Sequence, residues 1–127
     1  MFHMNALWSG GLVQVNKRKA AEVYPFLEAF IARKEEQIAE IEQAVQRYEK
    51  KRMIEERNYQ SMSALRRMFA GKKPDHHLAV EYIHYVKKPM EQIRKLRLEI
   101  ENARDILQQS RPTDLVNVSE ELEKELG

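Results

Sequence analysis

The sequence predicts an all-α protein: a long antiparallel helical hairpin, packed as a coiled coil, with short flanking segments and a tendency to dimerise into a helical bundle. Three observations carry this. Apolar residues recur every seven positions at Tyr24, Ile31, Ile38 and Val45, with Leu27, Ile41 and Tyr48 in the second slot and Lys34 as the one polar intruder. Such a repeat turns two positions per heptad toward a partner helix. A second repeat follows at Ala79, Val86, Ile93, Ile100 and Leu107, with Tyr82, Leu96 and Ala103 beside it. Between the two lies Ala70-Gly-Lys-Lys-Pro-Asp75. Gly71 suits the left-handed residue after a helix, Pro74 prevents continuation, and Asp75 suits a new cap. The connection is short, so the helices are expected to run antiparallel.

Taken in order, residues 1–16 read as an apolar arm. It carries Phe2, Leu7, Trp8 and Leu12, is broken by Gly10-Gly11, and offers a short strand over 11–15. An exposed arm of this kind is sticky. It either folds back over the helices or serves as a docking peptide, with Phe2, Leu7, Trp8 and Leu12 as the contacts. Residues 17–111 read as the hairpin. Asn16 is placed as the cap of a short basic turn over 17–23, and Pro25 predicts a kink or break at Tyr24. The first long helix is expected over 25–69. Its seam fails where Arg52 and Glu55 take apolar slots; Tyr59 and Met62 resume the old frame, while Ile54, Leu65 and Met68 suit a shifted one. A stutter within a continuous helix is favoured because no Gly or Pro intervenes, over a break between Asn58 and Ser63. The second helix is expected over 76–109, with a kink or break at Lys87-Lys88 caused by Pro89. Residues 112–127 read as a linker and a short acidic helix from Glu120 to Leu126, capped by Ser119 and too short to stand alone in water.

Composition narrows the function classes. With 33% charged and 8% aromatic residues among 127, the chain fits a helical soluble protein rather than a disordered one. There is no cysteine, which removes disulfides, a thiolate nucleophile and zinc–thiolate sites. No apolar run approaches the roughly 20 residues of a membrane span, so no membrane partner is expected. No Lys or Arg precedes Lys17, so no signal peptide is expected and the cytoplasm is the expected location. No Gly-rich phosphate loop is present, and Ser9, Ser61, Ser63, Ser110 and Ser119 lack a nucleophile motif. No enzyme activity and no cofactor are expected.

Charge is segregated although the net is only +2. From Lys50 to Arg97 thirteen basic residues face five acidic ones, a local +8; from Leu98 to Gly127 eight acidic face three basic, a local −5. The basic hairpin end offers Lys50, Lys51, Arg52, Arg57, Arg66, Arg67, Lys72 and Lys73 as a binding surface, with Tyr59, Tyr82 and Tyr85 as stacking faces. The competing reading is a solvated face. The acidic tail is expected to be able to fold onto this basic stretch and compete with a ligand. His77, Glu81 and His84 share a helical face, and Glu81-x-x-His84 has the spacing of di-iron bundles. A metal site there needs a second such motif, from a dimer mate, and Glu55 or Glu56; the competing reading is polar residues at an exposed helix start.

Three functions follow. The leading one is a non-enzymatic helical interaction protein, a homodimer that binds and regulates or chaperones another protein. The alternative is a nucleic-acid-binding helical protein using the basic end. The third is a carboxylate–histidine metal-binding bundle. Long hairpins of this kind resemble secretion chaperones, phage-encoded regulators and small assembly adaptors in outline, an analogy of fold that assigns no function.

Overall fold

A computed structural model describes residues 16–127; the apolar arm with Phe2, Leu7, Trp8 and Leu12 lies outside the described residues. The chain is mostly helical. Its elements are β1 (Asn16–Lys19), α1 (Ala20–Ser61), α2 (Ala64–Ala70), α3 (Asp75–Tyr82), a π-helical turn (Ile83–Lys87), α4 (Lys88–Gln109), β2 (Leu115–Val118) and α5 (Glu120–Leu126). Two compact units result, one of residues 16–34 with 98–127 and the other of residues 35–97.

In the first unit, β1 and β2 form an antiparallel ribbon with Asn16 opposite Val118 and Lys19 opposite Leu115. The expected basic helical turn capped by Asn16 is therefore corrected: these residues are a strand, and the helix starts at Ala20. The reason is in the backbone. The first N–H groups of a helix have no partner within it. Here Ala20 donates to the Asp114 carbonyl at 2.8 Å and Ala21 to the Pro112 carbonyl at 3.1 Å. The residues expected to be a linker thus close the start of α1, and Leu115–Val118 is a strand rather than irregular chain. Pro25 sits inside α1, which runs on through it without a break. Beside it the Tyr24 hydroxyl donates to the Ser110 carbonyl at 2.9 Å.

The core of this unit is Ala20, Val23, Leu27, Phe30 and Ile31 from α1, Ile100 and Ala103 from α4, Val118 from β2 and Leu122 from α5. Lys34 is buried with them, at 4% exposure. Its ammonium lies 3.1 Å from Glu99 and 2.6 Å from Glu121, and 5.1 Å from the centre of the Phe30 ring. Burial works to lower its pKa, but the hydrogen bonds to Glu121 and Glu99 outweigh that and leave it raised. The seven-residue α5 is held at its start by Ser119, whose side chain accepts from the Leu122 N–H at 3.3 Å. Leu122 is 3% exposed, a burial worth about 2 kcal/mol. Further ion pairs join Arg18 to Glu123 and Arg33 to Glu125. The tail acids Glu121, Glu123 and Glu125 are thus engaged by Arg18, Arg33 and Lys34, none of which belongs to the Lys50–Arg97 stretch that was expected to attract them.

In the second unit, Ile38 and Val45 of α1 and Val86, Ile93 and Leu96 of the following helical segment are buried. Contacts run in opposite chain order: Arg97 meets Glu42 at 3.2 Å, and Tyr85 stacks on Tyr48 at 4.8 Å with 13° between planes. The two segments are therefore antiparallel within this unit. The continuous helix expected over 25–69 is corrected, because α1 stops at Ser61 and α2 starts at Ala64. Two serines do what Gly or Pro was expected to do. The Ser61 hydroxyl donates to the Asn58 carbonyl at 2.8 Å, and the Met62 N–H tightens onto the Tyr59 carbonyl at 3.2 Å. Ser63, extended at ψ 158°, then accepts from the Arg66 N–H at 3.3 Å and caps α2. Helix α2 ends at Gly71, whose φ of 73° favours glycine. Pro74, not Asp75, occupies the cap of α3; Asp75 lies in the first turn, where its charge suits the helix dipole.

Pro89 produces neither a break nor a helix end. The turn before it widens instead: the Lys88 N–H reaches back to the Ile83 carbonyl, five residues earlier. A proline ring clashes with the carbonyl four residues back in a regular helix, and a π-turn relieves this. The extra residue slips the helical phase. Ala79 and Tyr82, in heptad register with Val86, are accordingly exposed while Val86 is buried.

Docking of α5 is expected to depend on acid. The hydrogen bond from Arg18 holds the Glu123 carboxyl below its ordinary 4.5. The undocked state then takes up the proton first, so this stabilisation is complete above 4.5 and drains as pH falls through the depressed value. Amide exchange of Leu122 to Leu126 across an acid titration should show protection falling, and Arg18→Gln should flatten the dependence. Protection that ignores acid would mean that Leu122 alone holds the helix.

Candidate interaction surface

From Gln46 to Tyr85 no side chain is buried. Large apolar side chains there face outward: Met53, Ile54, Leu65, Met68, Phe69, Val80, Tyr82, Ile83 and Tyr85 are all exposed. Helix α2 is the extreme case. It buries no residue, and Leu65, Met68 and Phe69 are 66%, 78% and 83% exposed. Their spacing of three and four puts them on one face. Leu65 and Met68 read in the sequence as part of a shifted seam, to which Phe69 does not belong. The run Ser61-Met-Ser63 was the signal that separated them from α1.

The basic candidates differ in what they touch. Arg52 is tied to Glu55 at 3.0 Å and Lys73 to Glu81 at 2.9 Å. Arg67 and Lys72 both lie 6.0 Å from the centre of the Tyr59 ring, and Arg67 also donates to the Met62 carbonyl at 3.0 Å. Arg57 reaches the Met53 sulfur at 3.6 Å, and Lys50, Lys51 and Arg66 stand exposed on their helices. A cleft of about 310 Å³ is lined by Arg52, Tyr59, Met62, Lys72, Lys73 and Leu78, together with Glu55 and Glu56. Its mixed charge is poorly suited to a polyanion alone.

Beside it Tyr48, Glu81 and Lys73 form a chain of polar contacts. The Tyr48 hydroxyl donates to Glu81 at 3.2 Å. The hydrogen bond to Lys73 lowers the Glu81 pKa, and the bond to Glu81 raises that of Lys73. Burial, and then the Glu81 carboxylate, raise the Tyr48 phenol above its ordinary 10.0. Glu81 is thus held by Lys73 and Tyr48. His77 packs at a tilt on His76, with ring centres 5.9 Å apart, and His84 meets Tyr85 edge-on at 4.7 Å. Among the described residues no group of three or more His, Cys, Asp or Glu side chains converges to hold a metal ion. Nor is any helix among them long and apolar enough to cross a membrane.

No family model, no curated protein and no solved structure matches the chain. Function is therefore argued from the surface itself.

Two outcomes check this geometry. Replacing Glu81 by Gln should move the Tyr48 phenol transition, followed by ultraviolet difference absorbance, back toward the ordinary 10.0 without reaching it, because burial persists. Leu65→Ser and Phe69→Ser should each change stability by less than about 0.5 kcal/mol, whereas Leu27→Ala should cost about 2–5 kcal/mol in denaturant unfolding.

Proposed function

We propose that this is a non-enzymatic helical hairpin that dimerises by coiled-coil packing and binds and regulates or chaperones another protein. The observation that carries the reading is the set of large apolar side chains exposed between residues 46 and 85. Monomeric soluble proteins rarely expose contiguous apolar patches of more than a few hundred Å². Met53, Ile54, Val80, Tyr82 and Ile83 continue the two heptad-bearing segments beyond the last buried positions, Val45 and Val86. A second pair of helices laid on these side chains would bury them and complete a four-helix arrangement.

A nucleic-acid reading has one specific observation behind it, the placing of Arg67 and Lys72 against the Tyr59 ring. It competes with the carboxylates Glu55 and Glu56 in the same cleft.

Light scattering coupled to size exclusion tests both. The expected result is a dimer at micromolar concentration that becomes a monomer in the Ile54→Glu, Ile83→Glu double variant, with unchanged helix content. A monomeric parent chain would remove the dimer. A mass shift with mixed DNA and RNA at low salt, lost at moderate salt and in Arg67→Glu, would move the assignment to nucleic acid.

A further inference from the structure

The stretch from Arg57 to Lys73 holds five basic residues and no acidic one. Within it α2 carries Leu65, Met68 and Phe69 on one face, each at least 66% exposed. Arg66 and Arg67 share the same two turns and Lys72 comes after the Gly71 cap; all three are exposed, with Arg67 and Lys72 each 6.0 Å from the centre of the Tyr59 ring. Lys73 is not counted, since Glu81 holds it.

We propose that α2 is a docking element for an anionic bilayer surface. Leu65, Met68 and Phe69 enter the interface, Arg66 beside them meets lipid phosphate, and Arg67 and Lys72 leave the Tyr59 ring to do the same. The pairing of chemistries selects this occupant. A nucleic acid would satisfy the cations and leave three large apolar side chains in water. A second copy of α2 would set Arg66, Arg67 and Lys72 against their own kind, which is repulsive. An anionic bilayer supplies a negative layer and, about 5–10 Å below it, an apolar one, which suits a two-turn helix lying flat. Basic residues beside the membrane are drawn by the surface potential, and apolar ones anchor what charge attracts. The site needs no spanning segment. The dimer reading is tested at Ile54 and Ile83, which lie outside α2, so each proposal has its own variants.

The full chain is mixed with vesicles of phosphatidylcholine alone, or with phosphatidylglycerol added, and separated by flotation at low and moderate salt. Binding to the anionic vesicles should be at least about tenfold tighter than to neutral ones. The Leu65→Ser, Phe69→Ser pair and the Arg66→Glu, Arg67→Glu pair should each weaken it by about tenfold or more, with unchanged circular dichroism. In a chain carrying Trp8→Phe and Phe69→Trp, indole emission should shift to the blue on mixing. No flotation with anionic vesicles at low salt overturns the proposal. So does flotation that survives the Leu65→Ser, Phe69→Ser pair, which would assign binding elsewhere in the chain. A change of molar mass in that pair without any vesicle binding would make a second copy the occupant.

Discussion

The first unit depends on one buried ammonium. Lys34 occupies a seam position where an apolar residue is the rule, and its ammonium lies 5.1 Å from the centre of the Phe30 ring. A buried charge without partners costs several kcal/mol, so the fold must bring carboxylates to it. They come from two places far apart in sequence, Glu99 on α4 and Glu121 on α5. Meeting both fixes the alignment of α4 against α1 and the place of α5, much as a single polar residue fixes register in a coiled coil. With α5 placed, β2 is delivered to β1, and the turn before β2 supplies the carbonyls that close the start of α1.

Much of this was legible and much was not, for physical reasons. The heptad positions Leu27, Ile31, Ile38, Val45, Val86, Ile93, Leu96, Ile100 and Ala103 are buried because a periodic apolar stripe has one way to leave water. Lys34 stood out as an intruder, but its partners lie 65 and more positions away and no local pattern points to them. The strand Asn16–Lys19 has no β-like residue; it is made by its partner Leu115–Val118. The break at Met62-Ser63 lacks Gly and Pro and comes from hydroxyls competing with the helix for backbone bonds, a signal too weak to outrank continuity. At the candidate surface the basic count was visible, yet the binding of Arg52 to Glu55 and Lys73 to Glu81 was not, because sequence gives charge totals and not pairings.

Pro89 shows a third kind of outcome, in which the disturbance was located and its form was not. A proline in a helix can be met by a kink, a break or a wider turn. Here the chain widens, and the Lys88 N–H finds the Ile83 carbonyl. The wider turn keeps Tyr85 stacked on Tyr48 while letting Val86 turn inward. Small changes in helical phase thus bear on which side chains of a repeat stay outside, and just before this turn Val80 and Tyr82 are exposed.

The Arg18–Glu123 contact joins residues 105 positions apart, whereas the second unit is one uninterrupted stretch of chain. During synthesis the two units therefore mature at different moments. The contacts within residues 35–97 can form as soon as that stretch has left the ribosome. Residues 16–34 wait with an open helix start and an unpaired strand until β2 and α5 have been made, since these follow every other described element. A ribosome stalled before Leu115 would hold a chain finished in the middle and unfinished at its beginning.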